Sequence, residues 1–269
     1  MGVCFRCSAC KSRRGIYSDS NFEDSPIKPS QLIVLLFHFA QDSGARSMAQ
    51  EAGVSYDYAL RVATRCRILI NIVLEEEDVP LGGQDQVVEI DECEYGRKRK
   101  GLHGRVAATK LDACGVLERS TGKVILRSFE KLNEDASARR QKGPASASEV
   151  LPLVRDYVAP FSIVASDRLR AYRSNLRHMG YKWFGVNHSV GEFVIEGVAE
   201  ARGARRPLPV HSQSIDSIWR HLKHWMMTRA RRQEDYPAYL LEWQWRHNCK
   251  VTGTCPYKAL ISFMSENPW

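Results

Sequence analysis

Three acidic residues, Asp91, Asp167 and Asp216, and one lysine, Lys223, form the candidate reactive set of this chain. Asp91 follows Val87-Val88-Glu89-Ile90, a β-branched run entered just after Gly82-Gly83, which reads as a strand leaving a turn. Side chains alternate along a strand, so Val88 and Ile90 share one face while Glu89 and Asp91 share the other. Asp91 is expected to end this strand. Arg97-Lys98-Arg99-Lys100 follow, so a carboxylate stands beside a strongly positive edge suited to a phosphate backbone. Asp167 closes a second apolar stretch, Phe161 to Ala165. Asp216 and Lys223 differ by seven positions (223 − 216), two helical turns, on a helix expected from Ser212 to Met227. They project along one line beside the apolar stripe of Ile215, Ile218, Leu222 and Met226. The acids are separated by 76 (167 − 91) and 49 (216 − 167) residues. Carboxylates brought close together repel unless a divalent metal neutralises them. Two such metals about 3.5–4 Å apart can clamp a scissile phosphate. Each residue also has an ordinary reading: a turn former for Asp91 or Asp167, a solvated helix face for Asp216 and Lys223, a hydrogen-bonded loop histidine for His188. The joint pattern favours function for the three acids and Lys223, and not for His188.

Composition is compatible with that chemistry. The 269 residues carry a formal charge of +8 and a pI near 9.1, and 43% of them are hydrophobic. That is ample for a core and argues against wholesale disorder. The basic excess is clustered at Arg97 to Lys100, at Arg139, Arg140 and Lys142, at Arg202, Arg205 and Arg206, and at Arg229, Arg231 and Arg232. Clustered positive charge points to a polyanion, with DNA first. No apolar run approaches the roughly 20 residues of a membrane span, and Gln31 to Ala40 lacks the flanks of a signal peptide. The expected location is intracellular: the nucleus in a eukaryotic host, otherwise the cytoplasm or nucleoid. Most of the eight cysteines are then reduced thiols packed as small apolar residues.

The elements that would position these residues divide the chain. Residues 1–25 hold Cys7-x-x-Cys10, with Cys4 one step upstream. Structural zinc wants four ligands, usually two such knuckles, and no second one follows. Either its partner preceded Met1 or no zinc is bound, and the balance lies against zinc. Residues 28–78 read as helices. Met48 to Ser55 fits the turn of a helix-turn-helix, with Gly53 at the bend and Ser55 capping a helix from Tyr56 to about Leu74. Arg61 and Arg65 on that helix suit DNA contacts, although an ordinary helical hairpin has the same pattern. Residues 87–248 turn β-rich, with strands expected over Arg105 to Asp112, Gly115 to Arg119, Lys123 to Phe129 and Tyr181 to Val186. Helices are expected over Ala147 to Val158, Arg168 to Met179 and Tyr236 to Trp245. Gly191 to Pro209 reads as a basic loop. Residues 249–269 read as a tail without signal.

In order along the chain, Val87 to Glu92 (VVEIDE), Ser166-Asp167 with Ala171-Tyr172, Val186 to Ser189 (VNHS) with Phe193-Val194, and His211 to Lys223 (HSQSIDSIWRHLK) resemble the Merlin and ISXO-like DDE transposases. The last stretch resembles that group's H-T-N-x-I-E-x-x-W-x-x-L-K pattern, and RCSACKSR near the start resembles the second half of its zinc ribbon. The resemblance implies an α/β fold: an RNase H-like mixed sheet flanked by helices, beside the helix-turn-helix-like region and a partial zinc-ribbon remnant. It implies an enzyme that cuts DNA and transfers the strand of a mobile element, with Asp91, Asp167 and Asp216 ligating Mg²⁺ or Mn²⁺. Lys223 would contact phosphate, element ends and target DNA would be partners, and a homo-oligomer would be the acting form. Two departures from the pattern matter. Asp216 stands where the group has Glu, and Gln213 where it has Asn. The shorter acid could misplace a metal by about 1 Å, enough to cost roughly 100-fold. An impaired or domesticated copy that only binds DNA is therefore the alternative.

Overall fold

The computed structural model describes residues 4–20, 22–23, 25–77, 79–95, 111–129, 147–167, 175–186, 195–201, 204–229 and 233–266. Arg97, Lys98, Arg99, Lys100, Arg139, Arg140, Lys142, Arg202, Arg231, Arg232 and His188 lie outside the described residues, as do residues 105–110 and 168–174. The chain forms two compact units, Met1–Glu76 with Gly253–Trp269, and Glu77–Thr252. Among the described residues no helix is long and apolar enough to cross a membrane.

The first unit holds the hairpin β1 (Cys4–Arg6) and β2 (Arg13–Gly15), then α1 (Pro29–Ala40), α2 (Ala45–Ala52) and α3 (Tyr56–Glu77). Gly53 takes the left-handed conformation, φ +63°, that ends α2, where a side chain would strain the backbone. Ser55 Oγ accepts from the Tyr58 amide at 3.3 Å at the start of α3. Leu35, Met48, Leu69 and Ile70 are fully enclosed.

The second unit is a mixed α/β layer structure. Its five-stranded sheet has the order β6-β5-β4-β8-β9, with β4 Val87–Tyr95, β5 Leu111–Glu118, β6 Val124–Ser128, β8 Ile163–Asp167 and β9 Lys182–Val186. A parallel pair, β3 (Leu81–Gly82) and β7 (Val158–Ala159), forms a separate ladder, with Leu81 and Val158 packed in the same core as Val88 and Ile90. β4, β8 and β9 run parallel, while β5 and β6 pair antiparallel on the other side of β4. Alternation sorts the two faces. Val88, Ile90, Val116 and Val164 meet α4 (Ala147–Tyr157) through Val150 and Val154. Cys93, Ala113, Leu117 and Leu126 meet α5 (Gln213–Arg229) and α6 (Tyr236–Thr252) through Ile215, Leu222, Leu240 and Trp243. Glu89 and Asp91 have the parity of Cys93, so they belong to the α5 side.

Four expectations need correction. Asp91 does not end its strand: β4 continues four residues to Tyr95, because Glu92 to Tyr95 still pair with β5. It stands instead one residue past Ile90↔Ser166, the last pair of the parallel ladder with β8. The expected break before Gly115 is absent, and Leu111–Glu118 is one strand. The strand expected over Phe161 to Ala165 is Ile163–Asp167, since exposed Phe161 has a left-handed φ of 66° that no strand accepts. The segment read as a basic loop is an antiparallel hairpin, β10 (Ile195–Ala201) and β11 (Ala204–Val210), joined by two residues. Pro207 and Pro209 fit because the ribbon has only two strands, leaving one side of each without a ladder to break. Residues 249–266 are also structured. They finish α6 and form α7 (Pro256–Glu266), whose Tyr257 ring meets Phe37 of α1 edge-on, centroids 5.8 Å apart.

Candidate functional site

β4 and β8 bring the first two acids together. Their pairing runs from Val87↔Ile163 to Ile90↔Ser166 at a constant offset of 76 (163 − 87). Asp91 and Asp167 share that offset (167 − 91), so Asp167 occupies the register position beside Asp91 on the neighbouring strand. Adjacent strands lie about 4.8 Å apart. The Asp167 side chain is outside the described residues.

The third acid arrives on α5. Its apolar stripe seats on the sheet, with Ile215 and Leu222 fully buried, and Asp216 and Lys223 stay exposed on its outer side. Trp219 reaches inward and its indole Nε1 donates to Asp91 Oδ2 at 2.9 Å. Asp216 precedes Trp219 by three residues, less than one turn, so one helix segment carries both the third acid and a direct bond to the first.

A buried carboxylate fixes the start of that helix. Glu89, with 0% exposure, accepts from Arg119 Nε at 3.0 Å and Nη2 at 2.8 Å, both on Oε1, and from the Ile215 amide on Oε2 at 3.0 Å. A first-turn amide of a helix has no partner within it, and an anion there complements the helix dipole. Arg119 donates further to the Pro209 and His211 carbonyls at 2.6 and 2.9 Å. It thereby clasps the exit of β11 just before α5. His211 Nδ1 comes within 3.4 Å of Glu89 Oε1 without making a hydrogen bond. Burial first, then Arg119, lowers the His211 pKa from its ordinary value, against an opposing pull from Glu89. Neutral imidazole is favoured. Beside the acids, burial first and then the charges of Glu92 and Asp91 raise the Cys114 thiol.

A family model of the ISXO2-like transposase domain matches residues 73–248, more than half of the chain. The chain belongs to that family. Among curated proteins, none matches it. Solved structures similar to the ISXO2-like chain include a chain of the simian T-cell lymphotropic virus intasome in complex with PP2A regulatory subunit B56 gamma. There identity is 11%, coverage 78% of this chain and 65% of that one, and the TM-score 0.35, so the chain spans less than two thirds of that protein's length. The Mos1 transposase paired-end complex with left transposon end is 12% identical over 84% of this chain and 78% of that one, TM-score 0.25. The Mos1 strand transfer complex is 12% identical over 90% and 79%, TM-score 0.25.

In the ISXO2-like chain, the helix bearing Asp216 contacts Asp91 through Trp219, and Asp167 holds the register position beside Asp91 on β8. Arg61, Arg65, Cys7 and Cys10 belong to the first unit. Arg61 and Arg65 border a recess of about 290 Å³ in the first unit with Ser25, Pro26, Tyr58 and Val62, and the Arg61 guanidinium stands 5.3 Å from the Tyr58 ring centre. Cys7 and Cys10 are exposed on the turn of the β1–β2 hairpin. Hydrogen bonds from Ser12 first, then Cys7, lower the Cys10 thiol to about 7. Among the described residues no group of three or more His, Cys, Asp or Glu is arranged to hold a metal. The Asp91–Asp167–Asp216 trio falls outside that absence, because the Asp167 side chain is not described.

Sequence reasoning did not single out Glu89, Arg119 or Trp219 as site residues. Glu89 had a signal: an ionisable residue inside the apolar run Val87 to Ile90 must find a partner once buried. Nothing local named that partner, since Arg119 lies 30 residues away. Trp219 stood inside the resembling stretch, but only the fold shows it reaching Asp91.

Proposed function

We propose that this ISXO2-like chain is an active DDE transposase with an RNase H-like catalytic unit, using Mg²⁺ or Mn²⁺ to cut DNA at the ends of a mobile element and join them to a target. The shared 76-residue offset of the β4/β8 ladder and the Asp91–Asp167 pair carries the reading, because it gives the two residues neighbouring register positions on adjacent strands. The donor set fits the ion: hard carboxylate oxygens suit Mg²⁺ and Mn²⁺. Asp91 and Asp167 would hold it from the sheet and Asp216 from α5. Bound there, such ions supply a nucleophile activated at neutral pH and a counter-charge for the leaving oxygen. The chain's own part is to fix the carboxylates, to place a phosphodiester against them through Lys223 on the same helix, and to bind the flanking backbone. Water adds to phosphorus as the 3′-oxygen departs as a hydroxyl. In the second step that 3′-hydroxyl attacks a target phosphodiester, joining its phosphorus as the target's own 3′-oxygen leaves as a hydroxyl. The basic clusters, including Arg97 to Lys100, would track phosphates, and α3 with Arg61 and Arg65 would contact element ends, within a homo-oligomer.

A second reading rests on Asp216. It is one methylene shorter than the glutamate of the resembling pattern, and a retired enzyme kept as a DNA binder would tolerate that loss. Strand cleavage of labelled DNA bearing candidate element ends separates the two. The active reading expects cutting only with Mn²⁺ or Mg²⁺, abolished by Asp91→Ala, Asp167→Ala or Asp216→Ala and lowered about 100-fold by Lys223→Ala. Binding without cutting, indifferent to all three acidic substitutions, supports the binder.

A further inference from the structure

We propose that Trp219 is a positioning residue that holds the Asp91 carboxylate in its metal-binding orientation, and that Gly115 is glycine so that the indole can reach it. The proposal rests on the metal-site reading above. Three observations meet here. The indole Nε1 donates to Asp91 Oδ2 at 2.9 Å. Gly115 is the cross-strand partner of Asp91 in the β4/β5 ladder. A Cβ built on Gly115 would stand 2.7 Å from Trp219 Cζ2 and 2.9 Å from Cη2, closer than carbon atoms approach. The indole therefore lies directly on the backbone opposite Asp91, and even a methyl group at position 115 would push it away.

The ordinary account of Trp219 is packing. It is 4% exposed and sits among Ile215, Ile218 and Leu222. Packing alone, however, needs neither an N–H aimed at a carboxylate nor a glycine beneath the ring. A carboxylate on a strand rotates about two side-chain torsions, and a hydrogen bond to one oxygen fixes which way the other points. Partners of this kind behind metal ligands typically change metal affinity by about 10–100-fold. The bond also links the helix to the sheet. Trp219 lies less than one turn from Asp216, so the contact that orients the first acid also sets the height of the third above it.

Mn²⁺ binding to the full chain, followed by the electron paramagnetic resonance of free Mn²⁺, tests this without DNA and without turnover. Trp219→Phe keeps most of the ring volume and removes the N–H. It should weaken Mn²⁺ about 10-fold or more while the thermal midpoint stays close to that of the unmodified chain. Gly115→Ala should weaken Mn²⁺ similarly by displacing the indole. Combining the two should cost no more than Trp219→Phe alone, because a phenyl ring no longer occupies the crowded position. Asp91→Asn, which removes the ligand itself, marks the floor. Unchanged Mn²⁺ affinity in a folded Trp219→Phe overturns the proposal and leaves the metal site standing. Absence of Mn²⁺ binding by the unmodified chain is a distinct result, which overturns the metal-site reading and this proposal together.

Discussion

Glu89 is a carboxylate without access to water, held by one guanidinium and one helix-terminal amide. Deleting one partner of a buried charge pair strands the other, so Glu89→Ala should destabilise the fold by about 3 kcal/mol. Urea or guanidinium denaturation measures this, and Glu89→Gln, which keeps an acceptor for the Ile215 amide, should lose less. The loss belongs to the site as well, because the same carboxylate fixes where α5 starts and hence where Asp216 stands. At this scale the sequence was half legible. Alternation put Glu89 and Asp91 on one face of β4, which requires only a two-residue period. The clasp of Arg119 on Glu89, Pro209 and His211 was not legible, since it closes chain separations of 30, 90 and 92 residues.

The elements show where local pattern ends and tertiary pairing begins. α5 was readable from its stripe at three- and four-residue spacing, because that periodicity needs no knowledge of the partner. What α6 does was not. Its Asn248 side chain accepts from the Val124 amide and donates to the Val124 carbonyl, both at 2.9 Å, and its Gln244 accepts from the Leu126 amide at 2.8 Å. These side chains cover the outer edge of β6, which would otherwise offer unpaired backbone groups to another strand. Asn248→Ala should strand the Val124 groups and cost about 1–3 kcal/mol, measurable as a lower denaturation midpoint. Greater aggregation should accompany it. The hairpin β10–β11 was misread as a loop for a related reason. Arg, Gly and Pro density signals irregular chain, and the pairing that overrides it is set by the two strands together rather than by either alone.

The whole molecule responds to pH and salt in calculable directions. Burial lowers the pKa of His211 and of His247, the latter opposed by its bond to the Gly122 carbonyl. For such groups the unfolded chain binds more protons than the folded one just below the ordinary value of 6.5, so stability rises with pH across that interval. The contribution is fully present above 6.5 and is lost as pH falls from there toward the lowered folded values. Thermal melts at decreasing pH should show the midpoint dropping below 6.5, with a shallower drop in His247→Gln. With a formal charge of +8, DNA affinity should fall linearly in log–log form with salt, by about a thousandfold between about 50 and 200 mM if some six phosphates are contacted. The basic clusters behind that expectation were plain in the sequence. The return of Gly253–Trp269 to the N-terminal unit was not, because nothing in Pro256–Glu266 announces which helix its Tyr257 will meet.

Asp91, Asp167 and Asp216 are proposed to form one metal site. Crystals soaked in Mn²⁺, with anomalous diffraction recorded at the manganese edge, test it most directly. The expected map has manganese at Asp91 and Asp167, with the Asp216 carboxylate within ligating distance. Manganese elsewhere, or held by the sheet acids while Asp216 points to solvent, would contradict it.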